Sequence, residues 1–160
     1  MPKSPLIRLH HASRVRPIPP AGLRALVLFL MNRARRADAA RSWGAVEVIF
    51  VGHAGMRPYN AAVFGKDEST DVITLTYAPA PGLPDWNGEL IINAELAREL
   101  GPRYGGAARE LALYLAHGCD HLTGGVDDTP ADRRLMRRRE TGWIRAARAA
   151  GLLEPLAGFA

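Results

Sequence analysis

The chain has 160 residues, of which 48% are hydrophobic and 23% charged, and a formal net charge of +5 at pH 7. These proportions are typical of globular proteins and exclude disordered or fibrous ones. The longest apolar run, Leu26–Met31, is far shorter than the about 20 residues that cross a bilayer, and no secretory signal follows the start. The single cysteine, Cys119, cannot form an internal disulfide. We therefore expect one cytoplasmic domain over residues 1–160, with no membrane partner.

The first half of the chain contains two predicted strands and two predicted helices. Leu6–His10 is a short strand, and a helix is predicted over Ala21–Ala39 because apolar residues recur there at helical spacing. Val46–Val51 is rich in β-branched residues and predicts a second strand, and Gly55–Phe64 a loop passing into a short helix. The first strand is followed by residues that cannot donate to a ladder, namely Pro17, Pro19 and Pro20. The apolar face of the first helix comprises Leu23, Leu26, Val27, Leu30 and Met31.

Two more strands and a third helix are predicted in the middle of the chain. The polar turn Gly65–Ser69 leads into an alternating strand, Asp71–Tyr77, and Gly88–Ile92 is the fourth strand. Asn93 is placed to cap a helix that reaches Leu100.

The last two predicted helices lie on either side of a paired glycine. A helix over Ala107–Thr123 is predicted to end at Gly124 and Gly125. The final helix, Pro130–Ala150, has Asp128 and Thr129 ahead of it as caps. The apolar stripe of the first of these helices comprises Leu111, Tyr114, Leu115, Gly118 and Leu122.

Basic and acidic residues occupy different parts of the chain. Residues 1–66 carry 11 basic and 2 acidic groups, residues 67–132 carry 3 and 12, and residues 133–160 carry 7 and 2. Basic flanks around an acidic middle indicate an RNA or DNA partner whose phosphates the arginines hold. A solvated basic helix face is the alternative. The candidate RNA-binding residues on the last helix are Arg133, Arg134, Arg137 and Arg138.

A candidate metal site lies at the end of the Ala107–Thr123 helix. His117 and His121 are one helical turn apart, so that both imidazoles can reach one ion. Because the glycines allow the chain to reverse, Asp127 can supply a third ligand and leave a fourth position open, which is a catalytic pattern. We expect one Zn²⁺ per chain, although another divalent metal also suits these ligands. The alternatives are two half-exposed histidines and an aspartate that caps the last helix.

Two peptidase motifs also place two histidines four residues apart on a helix. The H-E-x-x-H motif needs a glutamate directly after the first histidine, where this chain has Gly118. The inverted H-x-x-E-H motif is closer because Asp120 precedes His121, which makes Asp120 a candidate catalytic base in a small metallopeptidase. An exposed helix carboxylate is the alternative for Asp120. Cys119 faces away from both histidines and is predicted to be a core thiol.

Three segments resemble the YbeY family of bacterial metal-dependent endoribonucleases. Residues 117–127 (HGCDHLTGGVD) are similar to the family signature H-G-x-L-H-L-x-G-Y-D-H, with the same ligand spacing. Residues 60–75 (NAAVFGKDESTDVITL) are similar to N-x-x-Y-R-x-K-D-x-x-T-D-V-L-S-F, and residues 88–93 (GELIIN) to G-D-I-x-I-S. Met136 and Glu140 match an M-x-x-x-E helix. The resemblance is clearest over residues 46–152.

The resemblance implies both a fold and a function. It implies a small single α+β domain, in which about five helices pack on a mixed sheet of about four strands, with the metal site at the end of a central helix. It also implies cleavage of single-stranded RNA during ribosomal RNA maturation, with ribosomal RNA or the ribosomal subunit as partner. Where the family has its third histidine this chain has Asp127, and where the family has an arginine it has Phe64. We therefore expect Lys66 to be a partial catalytic substitute for that arginine, with an ordinary exposed turn residue as the alternative. A catalytically weakened, ribosome-associated RNA-binding factor with a structural metal is the competing function.

Overall fold

The computed structural model describes residues 2–12, 14 and 20–159, and the described residues form four strands and five α-helices. The strands are β1 (Leu6–His11), β2 (Trp43–Val51), β3 (Val72–Tyr77) and β4 (Trp86–Asn93). The helices are α1 (Pro20–Ala34), α2 (His53–Phe64), α3 (Ala94–Leu100), α4 (Ala107–Leu122) and α5 (Pro130–Ala149). This confirms the expected α+β fold class.

The four strands form one mixed sheet in the order β1-β2-β4-β3. Strands β1, β2 and β4 are parallel, whereas β3 runs antiparallel to β4. Helix α1 makes the crossover between β1 and β2, as a parallel connection requires. Strand β3 is therefore one edge of the sheet, and β1 is the opposite edge.

Side chains of the central strands alternate between two apolar layers. Val48 and Phe50 of β2 belong to the main core, under α1 and α4, whereas Val51 belongs to a smaller cluster with Met56 of α2. Successive strand residues point to opposite faces of a sheet, which explains this alternation. Helix α2 therefore covers one face of the sheet, and the main core lies on the other.

Helix α4 is the central helix of the main layer. It contacts α1, α3 and α5 as well as strands β3 and β4. All five residues of its predicted apolar stripe are buried, as are the five of α1. Gly118 lies where α4 meets the sheet, since a Cβ there would lie 2.8 Å from Leu90. The contact with β3 brings the end of α4 beside the edge strand of the sheet.

Several element boundaries differ from those predicted. The loop expected at the start of Gly55–Phe64 is wrong, because α2 is helical from His53 and includes Pro58. Helix α1 ends at Ala34 and continues as a 3₁₀ turn to Asp38, short of the predicted Ala39. The predicted caps are present, with Asn93 accepting from the N–H of Leu96 and Thr129 from that of Asp132.

No helix among the described residues is both long and apolar enough to span a membrane. Of the three prolines expected after the first strand, Pro17 and Pro19 lie outside the described residues, and Pro20 begins α1.

Candidate metal centre

The glycine turn after α4 places Asp127 beside the two histidines. Gly124 has a φ of 101°, a left-handed conformation that favours glycine. Position 125 requires glycine, because a Cβ there would overlap the carboxylate of Asp120. The chain reverses here and returns Asp127 to the end of the helix. Thr129 caps α5, so the alternative role of Asp127 as the helix cap is wrong.

One donor atom from each of the three predicted ligands converges on a single point. Nε2 of His117 and Nε2 of His121 are 3.1 Å apart, and Oδ2 of Asp127 lies 3.3 Å from the latter and 4.0 Å from the former. All three side chains are half-buried at the lip of a cleft. Two nitrogens and a carboxylate oxygen are the donors that zinc prefers.

The other ring nitrogen of each histidine, Nδ1, is within hydrogen-bond distance of an oxygen acceptor. Nδ1 of His121 lies 3.1 Å from the carbonyl oxygen of Gly125, and Nδ1 of His117 lies 2.8 Å from Oε1 of Glu140. Because a carbonyl and a carboxylate accept hydrogen bonds, both Nδ1 atoms carry the proton and donate. With Nδ1 donating, each ring can present the lone pair of Nε2 to the shared point, as in carboxylate–histidine–metal sites. The residues present therefore fit a divalent cation.

The electrostatic field at His117 also favours a cation. Burial lowers the pKa of its imidazolium, but the hydrogen bond and charge of Glu140, with the charges of Asp71 and Asp127, raise the pKa above its ordinary value. A proton and a metal ion compete for the same Nε2. The negative charges that stabilise the protonated ring therefore also stabilise a bound metal ion.

Lys66 and Phe64 both line the cleft that contains the three ligands. This cleft has a volume of about 500 Å³, and Asp71, which directly precedes β3, and Thr74 of β3 form another part of its wall. Phe64 is 59% exposed, so the position where the family has an arginine faces the open cleft. The neighbouring Asp67 forms an ion pair with Arg57, whereas the ammonium of Lys66 has no ion pair among the described residues.

Asp120 does not join this cleft. It is buried, with both carboxylate oxygens accepting hydrogen bonds from Arg139 of α5 at 3.0–3.2 Å. It lines a different cavity, next to Gly125 and Trp143. The expectation of an exposed carboxylate is therefore wrong, and the placement of Asp120 does not support a role as catalytic base. Cys119, in contrast, is a fully buried core thiol as predicted.

The four predicted RNA-binding arginines have different surroundings. All four are exposed on α5. Arg133 donates to the carbonyl oxygens of Asp127 and Asp128, and so holds the ligand turn. Arg134, Arg137 and Arg138 line a shallow groove together with Arg145. None of these four groove residues has an ion-pair partner within the part of the chain that the structure describes.

A second group of possible ligands, His53, Glu95 and Glu99, lies at the start of α2 and on α3. Nε2 of His53 is hydrogen-bonded to Glu99, and the main-chain N–H of His53 donates to Glu95. His53 is thus hydrogen-bonded to both glutamates, and these contacts account for the grouping of the three side chains without an ion.

Two residues near the site were not identified from their chemistry. The sequence places Glu140 only in a helix that resembles the family, yet its carboxylate accepts a hydrogen bond from His117 and orients that ring. The sequence places Asp71 only at the start of a predicted strand, yet it lines the metal cleft and its charge raises the pKa of His117. Their presence in the segments that resemble the family is the one signal that points to them.

Comparison with known proteins gives consistent matches. The model of the family described as Endoribonuclease YbeY matches residues 10–147. Proteins named Endoribonuclease YbeY from an Anaeromyxobacter species and from Rhodopirellula baltica are both 35% identical to the chain, over 69% and 78% of its length. The solution structure of TM1509 from Thermotoga maritima has a TM-score of 0.61 and 18% identity, with 94% of each chain covered, and so shows the same fold.

The matched regions differ in how much of each relative they span. They cover 56% of the protein from the Anaeromyxobacter species, 62% of that from Anaeromyxobacter dehalogenans and 67% of the Rhodopirellula baltica protein. The chain thus spans less than two thirds of the length of the two Anaeromyxobacter proteins. The family match itself includes all three predicted ligands and most of α5. The chain therefore belongs to the YbeY endoribonuclease family.

Proposed function

We propose that this chain is a metal-dependent endoribonuclease that cleaves single-stranded RNA, with one Zn²⁺ held by His117, His121 and Asp127. The observation that carries the proposal is the convergence of the two Nε2 atoms and Oδ2 of Asp127, with both Nδ1 atoms already donating elsewhere. A bound divalent ion would polarise a phosphoryl oxygen and activate water for hydrolysis.

The residues around the ion divide the remaining tasks. Glu140 and the Gly125 carbonyl hold the two rings in the orientation that ligation needs. Lys66 supplies a positive charge at the cleft wall for a scissile phosphate. The arginine groove on α5 binds the sugar–phosphate backbone without reading its sequence.

The cellular setting follows from the family resemblance. We propose that the RNA is ribosomal, that the partner is ribosomal RNA or the ribosomal subunit, and that the protein acts in the cytoplasm during ribosomal RNA maturation. The relatives' name, Endoribonuclease YbeY, supports the reaction class.

A specific observation favours a second function, a ribosome-associated RNA-binding factor with a structural metal. Phe64 faces the cleft where the family has a cation, and the carboxylate of Asp127 reduces the Lewis acidity of the ion. The metallopeptidase alternative has no such support, because Asp120 is paired with Arg139 away from the histidines.

A cleavage assay separates these functions. The purified protein is incubated with a fluorophore–quencher single-stranded RNA, with chelator, and with chelator followed by excess Zn²⁺. The nuclease proposal expects cleavage that the chelator abolishes and Zn²⁺ restores. His121→Ala should abolish it, whereas His10→Ala is a matched control because β1 is the sheet edge opposite the cleft. Tight RNA binding without cleavage under any condition would favour the binding factor.

A further inference from the structure

A second cavity adjoins the metal cleft on the other side of His117. It has a volume of about 300 Å³, and His117 and Asp71 line both spaces. Its remaining wall includes Tyr104, Arg109, Glu110 and Arg137. A group bound here would lie next to a residue that holds the proposed ion.

Glu110 of α4 is the polar group in this cavity that lacks a donor. It is only 6% exposed, and its Oε2 is buried without a hydrogen-bond partner. Burial, with a smaller contribution from Asp71, raises the pKa of Glu110 despite the nearby charges of Arg109 and Arg137. A buried acceptor left unpaired is unfavourable, so that a ligand with N–H donors would be stabilised there.

The rim of the cavity supplies an aromatic ring and a link to the basic groove. Tyr104 is 56% exposed, and its carbonyl oxygen accepts a hydrogen bond from Arg109. Exposed aromatic rings stack on the bases of single-stranded RNA. Arg137 lines both this cavity and the groove with Arg134 and Arg138. A single-stranded RNA whose phosphates lie along the groove can therefore place one base in the cavity.

We propose that this cavity binds a guanine base of the RNA substrate and that Glu110 is the residue that selects it. The inference rests on the proposed function, because it places the base beside the RNA-cleaving centre. Guanine alone among the four bases presents two adjacent N–H donors, N1–H and N2–H, on its Watson–Crick edge, and two donors match the two oxygens of one carboxylate. Adenine and cytosine each place a ring-nitrogen acceptor beside their amino group, and uracil flanks one donor with two carbonyl oxygens. A carboxylate repels those acceptors.

The first test uses the wild-type protein and needs no variant. Fluorescence anisotropy measures the affinity of the chelator-treated protein for short oligouridylates that carry one central guanosine, inosine, adenosine or uridine. Because chelator prevents metal-dependent cleavage, the measurement reports binding alone. Inosine lacks the N2 amino group, and we expect its RNA to bind about 10-fold more weakly than the guanosine RNA, as for one lost hydrogen bond to a charged group.

The second test changes the acceptor. Glu110→Gln presents one acceptor and one donor, a pair that also matches edges of adenine and uracil, so we expect the preference for guanosine over adenosine and uridine to be lost. Glu154→Gln removes the same charge from an exposed residue outside the cavity and should keep the guanosine preference. A thermal melt confirms that each variant is folded. A purely structural Glu110 would change overall affinity without changing which base is preferred.

The outcomes separate this inference from the proposed function. Cleavage with equal affinity for all four oligonucleotides would overturn the guanine site and leave the nuclease intact. A guanosine preference without cleavage in the presence of Zn²⁺ would keep the site and overturn the nuclease. Guanosine monophosphate serves as a competitor, and we expect it to bind more weakly than the RNA because it lacks the groove contacts. Competition at equal or higher affinity would make the cavity a free-nucleotide site and overturn its role in RNA recognition.

Discussion

Oε1 of Glu140 lies 2.8 Å from Nδ1 of His117, and this contact joins α5 to the helix that carries both histidines. Glu140 is itself buried, so that its charge acts in a medium where water screens it weakly. The orientation of one proposed ligand therefore depends on how α5 packs against α4.

Replacing Glu140 tests that dependence. Glu140→Gln keeps the size of the side chain but removes the charge, and we expect Zn²⁺ affinity to fall by about 10- to 100-fold, as for other partners of metal-bound histidines. Competition with a chromophoric chelator measures the change. Glu154→Gln is the control, since that glutamate is exposed. Equal Zn²⁺ affinities in the two variants would show that Glu140 does not support the site.

We expect Asp127 to contribute to both the metal affinity and the charge of the proposed centre. Asp127→Ala removes a ligand, and we expect a larger loss of Zn²⁺ affinity than the about 10- to 100-fold typical of outer partners. Asp127→His supplies a neutral nitrogen and should retain the metal while raising the cleavage rate, because the ion keeps more of its Lewis acidity. Metal analysis and initial cleavage rates measure the two effects. Unchanged metal content in Asp127→Ala would refute the three-ligand site.

The position of Phe64 and Lys66 in the cleft predicts opposite effects of two substitutions. Phe64→Arg adds a bidentate cation, and we expect kcat to rise by about 10-fold, less than the about 10²- to 10³-fold that one preorganised donor contributes. Lys66→Ala removes the existing charge and should lower kcat. Val63→Arg is a matched control, because Val63 precedes Phe64 on the same helix and is not part of the cleft wall. If neither Phe64→Arg nor Lys66→Ala alters kcat, the RNA-binding factor becomes the better description.

The arginine groove predicts a change in salt dependence. Each phosphate contact with single-stranded RNA contributes about 0.7 to the slope of log K against log salt, so that Arg134→Ala with Arg138→Ala should flatten the slope by about 1.4. Binding titrations at several salt concentrations measure it. Arg24→Ala with Arg98→Ala removes the same charge from exposed positions outside the groove and should change the slope much less. Identical slopes in the two double variants would indicate that the α5 arginines form a solvated helix face and do not contact RNA phosphates.

Glu110 predicts a pH-dependent cost to stability. Its pKa is higher in the folded protein than in the unfolded chain, because burial disfavours the charged form. The unfolded state therefore releases this proton first, and the contribution of Glu110 to stability falls as the pH rises from the unfolded pKa to the folded one. Glu110→Gln should raise Tm at pH 7 more than at pH 4, by about 2–4 °C for each kcal/mol recovered. A Tm difference that does not change with pH would contradict this.

Local patterns predicted most of the elements and the three proposed ligands. Histidines four residues apart share one face of any α-helix. Two glycines after the helix allow the chain to reverse within a few residues, so that the following aspartate lies near the histidines. The caps Asn93 and Thr129 are equally local, because a cap bonds only to the first turn of its own helix. Boundaries were less accurate, as at α2, where a loop was expected at the start of Gly55–Phe64 but the helix begins at His53.

Contacts between distant segments were decided only by the tertiary structure. The pairing of Asp120 with Arg139 and of His117 with Glu140 depends on the packing of α5 against α4, and residues 19 and 23 positions apart have no fixed relation before that packing forms. The presence of Lys66 in the metal cleft depends likewise on β3 lying beside the end of α4. Helix and turn geometry is set by neighbouring residues, so the sequence by itself determined the ligand spacing. Which charges surround those ligands depends on how the layers pack, and that is visible only in the folded chain.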